Sequence, residues 1–306
     1  MRAVVIGGNG FIGSHIVDAL LASRWQVAVY DHSPERYRPP STDVEYVIGE
    51  LGNRGLLAAA LPAADVVFHL ASTTLPQSSN ESPEFDIRSN LIDSVRFLEA
   101  CVESRVGKVV FVSSGGTVYG IPSSPLVREG HSTSPICSYG IIKLAIEKYL
   151  HLFKHLFGLS YAILRPSNAY GQRQNPSSSQ GAVAVFLGRA ARGLPIQIWG
   201  DGEIVRDFIH VSDLAAAGLA AATSSEGSHP IFNVGSGQGT SLNQLLETME
   251  NVVQKPLQVQ RLPGRSFDVA RIGLDIEKAR TELAWTPKIS MEQGILDTWN
   301  WVRTLY

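Results

Sequence analysis

The sequence of 306 residues predicts an α/β fold, in which a Rossmann-type doubly wound parallel sheet is followed by a smaller α+β C-terminal lobe. Short apolar runs rich in β-branched residues alternate with helical patterns through the first half, as expected when helices cover both faces of a parallel sheet. A glycine-rich loop joins the first apolar run to the first helical pattern, which is typical of dinucleotide-binding sheets. After Arg165-Pro166 the sequence becomes polar and irregular, so the regular alternation is expected to end there.

The strands of the first half are predicted from nearly continuous apolar runs. In chain order they are Ala3–Ile6, Gln26–Tyr30, Val44–Ile48, Val66–Leu70, Lys108–Ser113 and Tyr161–Leu164. The intervening segments repeat apolar residues with a helical period, and helices are expected at Gly13–Ser23, Arg54–Leu61, Asp86–Glu103 and Tyr139–Phe157.

The second half begins with a polar loop over residues 171–181. The elements predicted after it are a helix at Ala182–Arg192, a strand at Ile196–Trp199 that ends in a Gly-Asp-Gly turn, and helices at Leu242–Val253, Asp275–Leu283 and Met291–Thr304. We therefore predict a cofactor-binding domain over residues 1–167 and a substrate-binding lobe over residues 168–306. Whether segment 206–236 returns to the first domain is left open.

Composition argues against several classes of function. The net charge of −2 lacks the basic excess of a nucleic-acid-binding protein, so no nucleic-acid partner is expected. The two cysteines, Cys101 and Cys137, do not make a disulfide framework or a metal site, and we predict neither. No apolar stretch reaches about 18 residues and no signal peptide precedes Ala3, so we expect a cytoplasmic protein without a membrane span.

Gly7, Gly10 and Gly13 form a Gly-x-x-Gly-x-x-Gly loop between the first strand and the first helix. Glycines let the backbone approach a pyrophosphate, and the helix N-terminus offers it partial positive charge. Asp31, followed by His32, ends the second strand, where a carboxylate can accept hydrogen bonds from both ribose hydroxyls and would repel a 2′-phosphate. This pattern favours NAD over NADP, although such glycines also occur in plain turns and Asp31 could simply face solvent.

Tyr139 and Lys143 stand four residues apart at the start of a predicted helix, which places them on one face. A lysine ammonium, together with the positive nicotinamide ring of NAD, would favour the phenolate. Lowering a tyrosine pKa from about 10 to near 7 needs about 4 kcal/mol. The pair is therefore predicted to act as a general base, although this spacing alone also arises by chance.

At this point the sequence resembles the extended short-chain dehydrogenase/reductase family of NAD-dependent epimerases and dehydratases, and within it the UDP-hexose 4-epimerases. The resemblance covers nearly the whole chain. Besides the glycine loop and the Tyr139–Lys143 pair it rests on Phe68-His69-Leu70-Ala71, Asn90, the run from Ser113 to Gly120, the run from Leu164 to Asn168, the run from Arg206 to Val211, and Asn233-Val234-Gly235.

The resemblance implies roles for further residues. NAD would be bound by Phe11 and Ile12 at the pyrophosphate, by Glu50 and Leu51 at the adenine, and by Leu70, Ala71, Ser72, Asn90, Ser113 and Ser167 along the cleft. A UDP-sugar would contact Gly115, Asn168, Ile196, Gln197, Trp199, Arg206, Arg265 and Asp268. Arg206 suits a diphosphate because its planar guanidinium makes fixed, charge-assisted bonds. An ion pair between Arg206 and Asp207, and a surface loop at Arg265 and Asp268, are the alternatives.

The sequence departs from the family at one catalytic position. Most members carry a serine or threonine four residues before Tyr119, where this chain has Gly115. We predict that Thr117, or otherwise Ser114, supplies the missing hydroxyl. The family's dehydratases carry an Asp-Glu pair where this chain has Gly116-Thr117, so a dehydratase is not expected, and neither is a UDP-glucuronate decarboxylase.

The resemblance therefore implies an isomerase, an NAD-dependent UDP-hexose 4-epimerase that oxidises C4 transiently to a 4-keto sugar and serves polysaccharide biosynthesis. A nucleotide-sugar 4-ketoreductase that uses NAD(P)H is the alternative, and a non-catalytic NAD-sensing protein is a third reading. A homodimer is also implied, in which the helices Asp86–Glu103 and Tyr139–Phe157 would pair with their copies.

Overall fold

A computed structural model describes residues 1–225, 230–264 and 270–306. The elements of the first half, in chain order, are β1 (Arg2–Ile6), α1 (Phe11–Ala22), β2 (Gln26–Asp31), β3 (Val44–Ile48), α2 (Arg54–Ala60), β4 (Val66–His69), α3 (Pro76–Glu81), α4 (Pro83–Asp86), a π-helical segment (Ile87–Ile92), α5 (Asp93–Glu103), β5 (Lys108–Val112), β6 (Leu126–Val127), α6 (Ser138–Phe157) and β7 (Ser160–Pro166).

The elements of the second half are β8 (Asn168–Tyr170), α7 (Ala182–Ala191), β9 (Ile196–Trp199), β10 (Val205–Arg206), β11 (Phe208–His210), α8 (Val211–Thr223), β12 (Ile231–Val234), β13 (Thr240–Ser241), α9 (Leu242–Val253), β14 (Val259–Leu262), β15 (Arg271–Leu274), α10 (Glu277–Glu282) and α11 (Met291–Val302). No described helix has the length and apolar character needed to cross a membrane.

A seven-stranded parallel sheet in the order β12-β7-β5-β4-β1-β2-β3 forms the centre of the molecule. Alternate residues of its strands enter two separate cores. Val5 and Phe68 pack on the side of α1 and α8, whereas Val4 and Val67 pack on the side of α5 and α6. Both faces of the sheet are therefore covered, which explains the continuous apolar runs. The predicted fold class is confirmed.

Three features of the first half differ from the sequence prediction. Residues 76–81 form the short helix α3 and Leu126–Val127 form the strand β6, neither of which was predicted. The single helix expected over Asp86–Glu103 consists of the end of α4, a π-helical segment over Ile87–Ile92 and α5. Such segments are frequent at functional sites, and this one carries Asn90.

The second half forms two small sheets of its own, β11-β8 and β14-β9, but its other strands join sheets that include the first half. The small sheet β13-β10-β15-β6 takes β6 from the first half of the chain, and β12 completes the central sheet beside β7. α8 packs against α1 through the core that contains Leu214 and Ile16. The division near residue 167 stays a prediction.

Candidate active site

The glycine loop packs tightly against the loop that follows β4. Gly7 has a φ of +83°, and a Cβ on it would lie 2.9 Å from the amide nitrogen of Ala71. A Cβ on Gly13 would collide with the carbonyl oxygen of Gly7. Both positions therefore require glycine, and the turn brings the backbone to the N-terminus of α1.

The N-terminus of α1 fits the pyrophosphate of a dinucleotide. Its N-cap is Gly10, which has no side chain to cap the first amides. The first turn, which begins at Phe11 and Ile12, holds no acidic residue. The first amides of this helix are thus open to an anion within the described part of the chain.

Asp31 lies beside the same loop. The backbone amide of Asn9 donates to Asp31 Oδ2 at 3.0 Å, and the amide of Ser33 donates to Oδ1 at 3.1 Å. The exposed ring of His32 lies 3.1 Å from the same carboxylate. Asp31 is buried yet retains lone pairs that could accept ribose hydroxyls, so its position fits the predicted role.

The predicted adenine and cleft residues line the edge of the sheet next to this loop. Leu51 is half-buried against the apolar core, and the carbonyl of the exposed Glu50 accepts the Tyr30 hydroxyl at 2.7 Å. Leu70 and Ala71 are half-buried where β4 ends, and the hydroxyl of Ser72 donates to the carbonyl of Thr74.

Asn90 fixes the loop that follows β4. Its side-chain oxygen accepts the amide of Thr73 at 2.9 Å, and its side-chain nitrogen donates to Thr73 Oγ1 at 2.8 Å and to Asp86 Oδ1 at 2.9 Å. The residue therefore holds a helix and a loop beside the predicted cleft, as the resemblance implies.

Tyr139 and Lys143 lie in the first turns of α6, with Lys143 buried and Tyr139 half-buried. Lys143 Nζ lies 5.5 Å from the centroid of the Tyr139 ring and donates to the carbonyl of Val112 at 3.0 Å. Burial lowers the pKa of Lys143 to about 8, although the negative charges of Asp86 and Glu147 oppose that fall.

The tyrosine does not follow the sequence expectation. Burial, with smaller contributions from Cys137 and Asp86, raises the pKa of the Tyr139 phenol above its ordinary value. The protein groups alone therefore do not produce the predicted fall in this pKa, because burial of the phenol is the largest effect.

Ser113 takes part in a buried polar network. Its hydroxyl donates to Glu147 Oε1 at 2.5 Å, and Glu147 forms a buried ion pair with Arg165, whose nitrogen Nη2 lies 2.5 Å from Oε2. Arg165 also donates to the hydroxyl of Tyr119 at 2.9 Å, which donates in turn to Asn233 at 2.7 Å. The Ser113 hydroxyl is thus engaged with Glu147, and the predicted contact of Ser113 with NAD stays a prediction.

Gly115 cannot carry the family's hydroxyl without a rearrangement. A Cβ there would lie 2.9 Å from the carbonyl oxygen of Arg165 and 3.1 Å from that of Pro166. The hydroxyl oxygen of the preferred substitute, Thr117, is buried and has no hydrogen-bond partner among the described residues, so its contact with the sugar stays a prediction. Ser114 is half-buried, and its side chain makes no hydrogen bond to described residues, so it is the hydroxyl that remains available.

Asp207 organises the residues next to the predicted diphosphate site. Its carboxylate accepts hydrogen bonds from the Ser167 hydroxyl at 3.1 Å, from the amide and hydroxyl of Ser236, and from the amide of Leu274. The exposed Asn168 donates to the carbonyl of Asp207 through both its amide and its side chain. This carboxylate serves other residues, which argues against the simple Arg206–Asp207 ion pair.

Only some of the residues of β9 that were predicted to contact a uracil have exposed side chains. Ile196 is fully buried in the core beneath the strand, so its side chain does not share the exposed face of β9, because alternate residues of a strand face opposite sides. Gln197 and Trp199 face outward and are exposed. Arg206 lies half-buried on β10, whereas Arg265 and Asp268 lie outside the described residues.

The sequence reasoning missed two buried acids beside the site, Asp86 and Glu147, and it considered a third, Asp207, only as an ion-pair partner of Arg206. A signal existed for the first two, because Asp86 precedes Asn90 by four residues and Glu147 follows Lys143 by four, which places each on the same helical face as its neighbour. Among the described residues, no group of three or more His, Cys, Asp or Glu side chains could hold a metal ion.

Comparisons with known proteins agree with this geometry. The model of the NAD dependent epimerase/dehydratase family matches residues 3–235. A putative UDP-glucose 4-epimerase from Methanocaldococcus jannaschii is 34% identical over 302 residues, covering 98% of this chain and 98% of the relative.

Two solved structures share both fold and sequence. The UDP-glucose 4-epimerase of Thermotoga maritima with UDP-glucose is 35% identical at a TM-score of 0.94, covering 100% of this chain and 99% of that one. The Thermus thermophilus UDP-glucose 4-epimerase in complex with NAD is 34% identical at a TM-score of 0.91, covering 100% of both. By sequence and by fold, the chain therefore belongs to the NAD-dependent epimerase/dehydratase family.

Proposed function

We propose that the protein is an NAD-dependent 4-epimerase of a UDP-hexose, either UDP-glucose and UDP-galactose or their N-acetyl forms. The observation that carries the proposal is the Tyr139–Lys143 pair, because Lys143 bonds the carbonyl of Val112 at the carboxyl end of β5, the same edge of the parallel sheet at which the glycine loop follows β1. The similarity to UDP-glucose 4-epimerases with bound UDP-glucose or NAD supports it. Bound NAD would accept and return the hydride of the sugar's C4.

Tyr139 takes the proton of the C4 hydroxyl and later returns it to the other epimer. Because burial raises the pKa of this phenol in the protein alone, ionisation needs more positive charge than Lys143 supplies. The oxidised nicotinamide ring carries that charge. Tyr139 is therefore a competent base only in the protein that holds its cofactor.

Lys143 keeps the site positive. Its pKa of about 8 leaves the ammonium mostly charged at neutral pH, and its position near the Tyr139 ring favours the phenolate. Its bond to the carbonyl of Val112 ties it to the end of β5, which fixes the ammonium against the sheet.

Ser114 is the proposed partner of the sugar's 4-oxygen. The neighbouring Gly115 has no room for a side chain, and the Thr117 hydroxyl is buried. We expect Ser114→Ala to lower kcat about tenfold or more through loss of one hydrogen bond to a charged oxygen, while Thr117→Val stays within about threefold. A larger loss in Thr117→Val than in Ser114→Ala would reverse this assignment.

The nucleotide part of the substrate is proposed to lie along the second lobe. Asn168 and Arg206 would contact the diphosphate, and Gln197 and Trp199 would border the uracil from the exposed face of β9. Asp207 supports Asn168 from behind through its carbonyl. Arg265 and Asp268, outside the described residues, stay candidates for the ribose and phosphate.

A homodimer and a cytoplasmic location are further parts of the proposal. α6 exposes an apolar stripe that includes Ile141, Tyr149, Leu152 and Leu156, which a second copy could cover. Light scattering should give twice the chain mass, and Leu152→Glu should give the monomer. A wild-type monomer at micromolar concentration would exclude this dimer. The proposed location rests on the sequence, in which two cysteines do not make a disulfide framework.

The decisive experiment incubates the purified protein, without added cofactor, with UDP-glucose and separately with UDP-N-acetylglucosamine. We expect the 4-epimer of one or both sugars by proton NMR, NAD co-purifying with the protein, and no product with Tyr139→Phe as the matched control. Stoichiometric oxidation of added NAD(P)H by a 4-keto sugar, without epimerisation, would instead indicate a ketoreductase. Activities unchanged by Tyr139→Phe would favour the NAD-sensing role.

A further inference from the structure

The carboxylate of Asp86 is buried at the back of the Tyr139–Lys143 pair. Asp86 ends α4, and its side chain has no exposed surface. Oδ1 accepts the hydroxyl of Thr74 at 2.6 Å and the side-chain nitrogen of Asn90 at 2.9 Å, and Oδ2 accepts the hydroxyl of Ser138 at 2.6 Å. No salt bridge joins it to a cation within the described part of the chain, so three neutral donors stabilise the charge.

These donors come from three different segments. Thr74 lies in the loop after β4, Asn90 in the π-helical segment, and Ser138 at the start of α6, immediately before Tyr139. One carboxylate therefore ties the loop beside the predicted nicotinamide cleft to the helix that carries the base.

The same region completes the N-terminus of α6. Its N-cap, Cys137, provides no side-chain hydrogen bond. Instead the amide of Ser138 donates to Asn80 Oδ1 at 2.9 Å, and the amide of Tyr139 donates to the hydroxyl of Ser79 at 3.0 Å. α3, which supplies Ser79 and Asn80, thus caps α6 from outside, and Asp86 joins this cap through Ser138.

We propose that Asp86 is a positioning residue for the reaction, which fixes the first turn of α6 and supplies the negative charge that balances Lys143 inside the protein. This inference rests on the proposed epimerase function, since it assigns Asp86 a part in that chemistry. A buried carboxylate is costly to retain, and a purely structural cap needs no charge. The charge acts on both catalytic groups, because it favours the ammonium of Lys143 and opposes the phenolate of Tyr139.

The titratable groups around this carboxylate have defined states. Tyr139, Lys143 and Cys137 face it from the start of α6, and His69 and Glu147 lie next to Lys143. Burial and Lys143 lower the pKa of His69 to about 3, and burial raises the pKa of the Cys137 thiol, so neither is charged near neutral pH. Glu147 is paired with Arg165.

The test is the pH profile of kcat in Asp86→Asn. Removing the negative charge lowers the pKa of both Tyr139 and Lys143, so the acid limb and the alkaline limb should both move to lower pH, by roughly one pH unit. Ser138→Ala, which removes one hydrogen bond but keeps the charge, should lower kcat without moving either limb. Glu84→Gln, which removes an exposed charge from α4, the helix that Asp86 ends, should change neither kcat nor the position of the two limbs.

A second readout separates this inference from the proposed function. The phenolate absorbance of the NAD-loaded protein, taken as the difference from Tyr139→Phe, reports the titration of Tyr139 without turnover. Its midpoint should fall in Asp86→Asn relative to wild type. If wild type does not epimerise but this midpoint falls, the proposed reaction is wrong and the role of Asp86 stands.

Asp86→Ser is the replacement if Asp86→Asn does not fold, judged by melting and NAD binding, because the smaller side chain leaves space for a water between the three donors. A lower kcat with both limbs and the phenolate midpoint unmoved, in whichever variant folds, would overturn the proposal and leave Asp86 a structural cap.

Discussion

Replacing Gly115 with serine should harm the protein, although it restores the hydroxyl that the family usually carries there. A Cβ at this position would lie 2.6 Å from Leu274 Cδ1, 2.9 Å from the carbonyl oxygen of Arg165 and 3.1 Å from that of Pro166. Two of these neighbours are backbone atoms of β7, which cannot turn aside as a side chain can. Overpacking of this kind costs about 1–3 kcal/mol.

The assay is thermal melting together with kcat. A loss of about 1–3 kcal/mol should lower the melting temperature by roughly 2–5 °C in a chain of this size. We expect kcat to fall as well, because the displaced end of β7 leads directly into Ser167 and Asn168.

The adjacent glycine provides the matched control. A Cβ on Gly116 would meet no atom within 4 Å, so Gly116→Ser should melt within about 1 °C of wild type. If Gly115→Ser melted like Gly116→Ser, or turned over faster than wild type, the steric reasoning at Gly115 would be refuted.

Three further predictions follow from the site. Arg165→Met should lower the free energy of unfolding by about 3–5 kcal/mol in urea titrations, because it leaves Glu147 buried without its cation. The double variant Arg165→Met/Glu147→Leu should recover most of that loss, and a loss of less than about 1 kcal/mol in Arg165→Met would contradict this. The pKa of Lys143 falls from 10.5 to about 8 on folding, so between pH 8 and 10.5 the unfolded chain binds more protons than the folded one, and the free energy of unfolding of wild type should rise by up to about 3 kcal/mol relative to Lys143→Met. Parallel curves of unfolding free energy against pH for the two proteins would disprove the shift. Asp31→Asn should weaken NAD binding about tenfold in calorimetric titration, because Asp31 accepts the amide of Asn9 in the glycine loop. Glu45→Gln, at an exposed site on β3, should leave the affinity for NAD unchanged, and equal affinities in the two variants would remove Asp31 from the cofactor site.

The central sheet could be predicted because its signals are local. Apolar runs such as Ala3–Ile6 and the glycine loop need no knowledge of distant residues to be recognised. By contrast, α3 consists of polar residues with only Pro76 to indicate a helix start. The π-helical segment was also missed, since a helical period does not distinguish the two kinds of turn.

The sequence predicted which residue types belong to the site, but it did not predict which of their side chains face the core. Ile196 and Gln197 are neighbours on one strand, and only the packing of the second lobe shows that Ile196 is the one in the core. In the same way, the sequence places hydroxyls at Ser114 and Thr117, yet only the fold shows that Thr117 is the one sealed off. A local pattern links Asp86 to Asn90, but no local pattern reveals the distant donors of Asp86 and Asp207, such as Ser138 and Leu274.

The short strand β6 has a consequence for how the chain reaches its native state. β6 pairs with β15 in the register Gly273↔Leu126 and Leu274↔Val127, so the small sheet joins segments far apart along the chain. During synthesis β6 leaves the ribosome long before its partner, and the sheet can close only when nearly the whole polypeptide has emerged. A fragment that starts at residue 168 would lack this edge strand. Separately expressed halves should therefore associate with each other more readily than either folds alone.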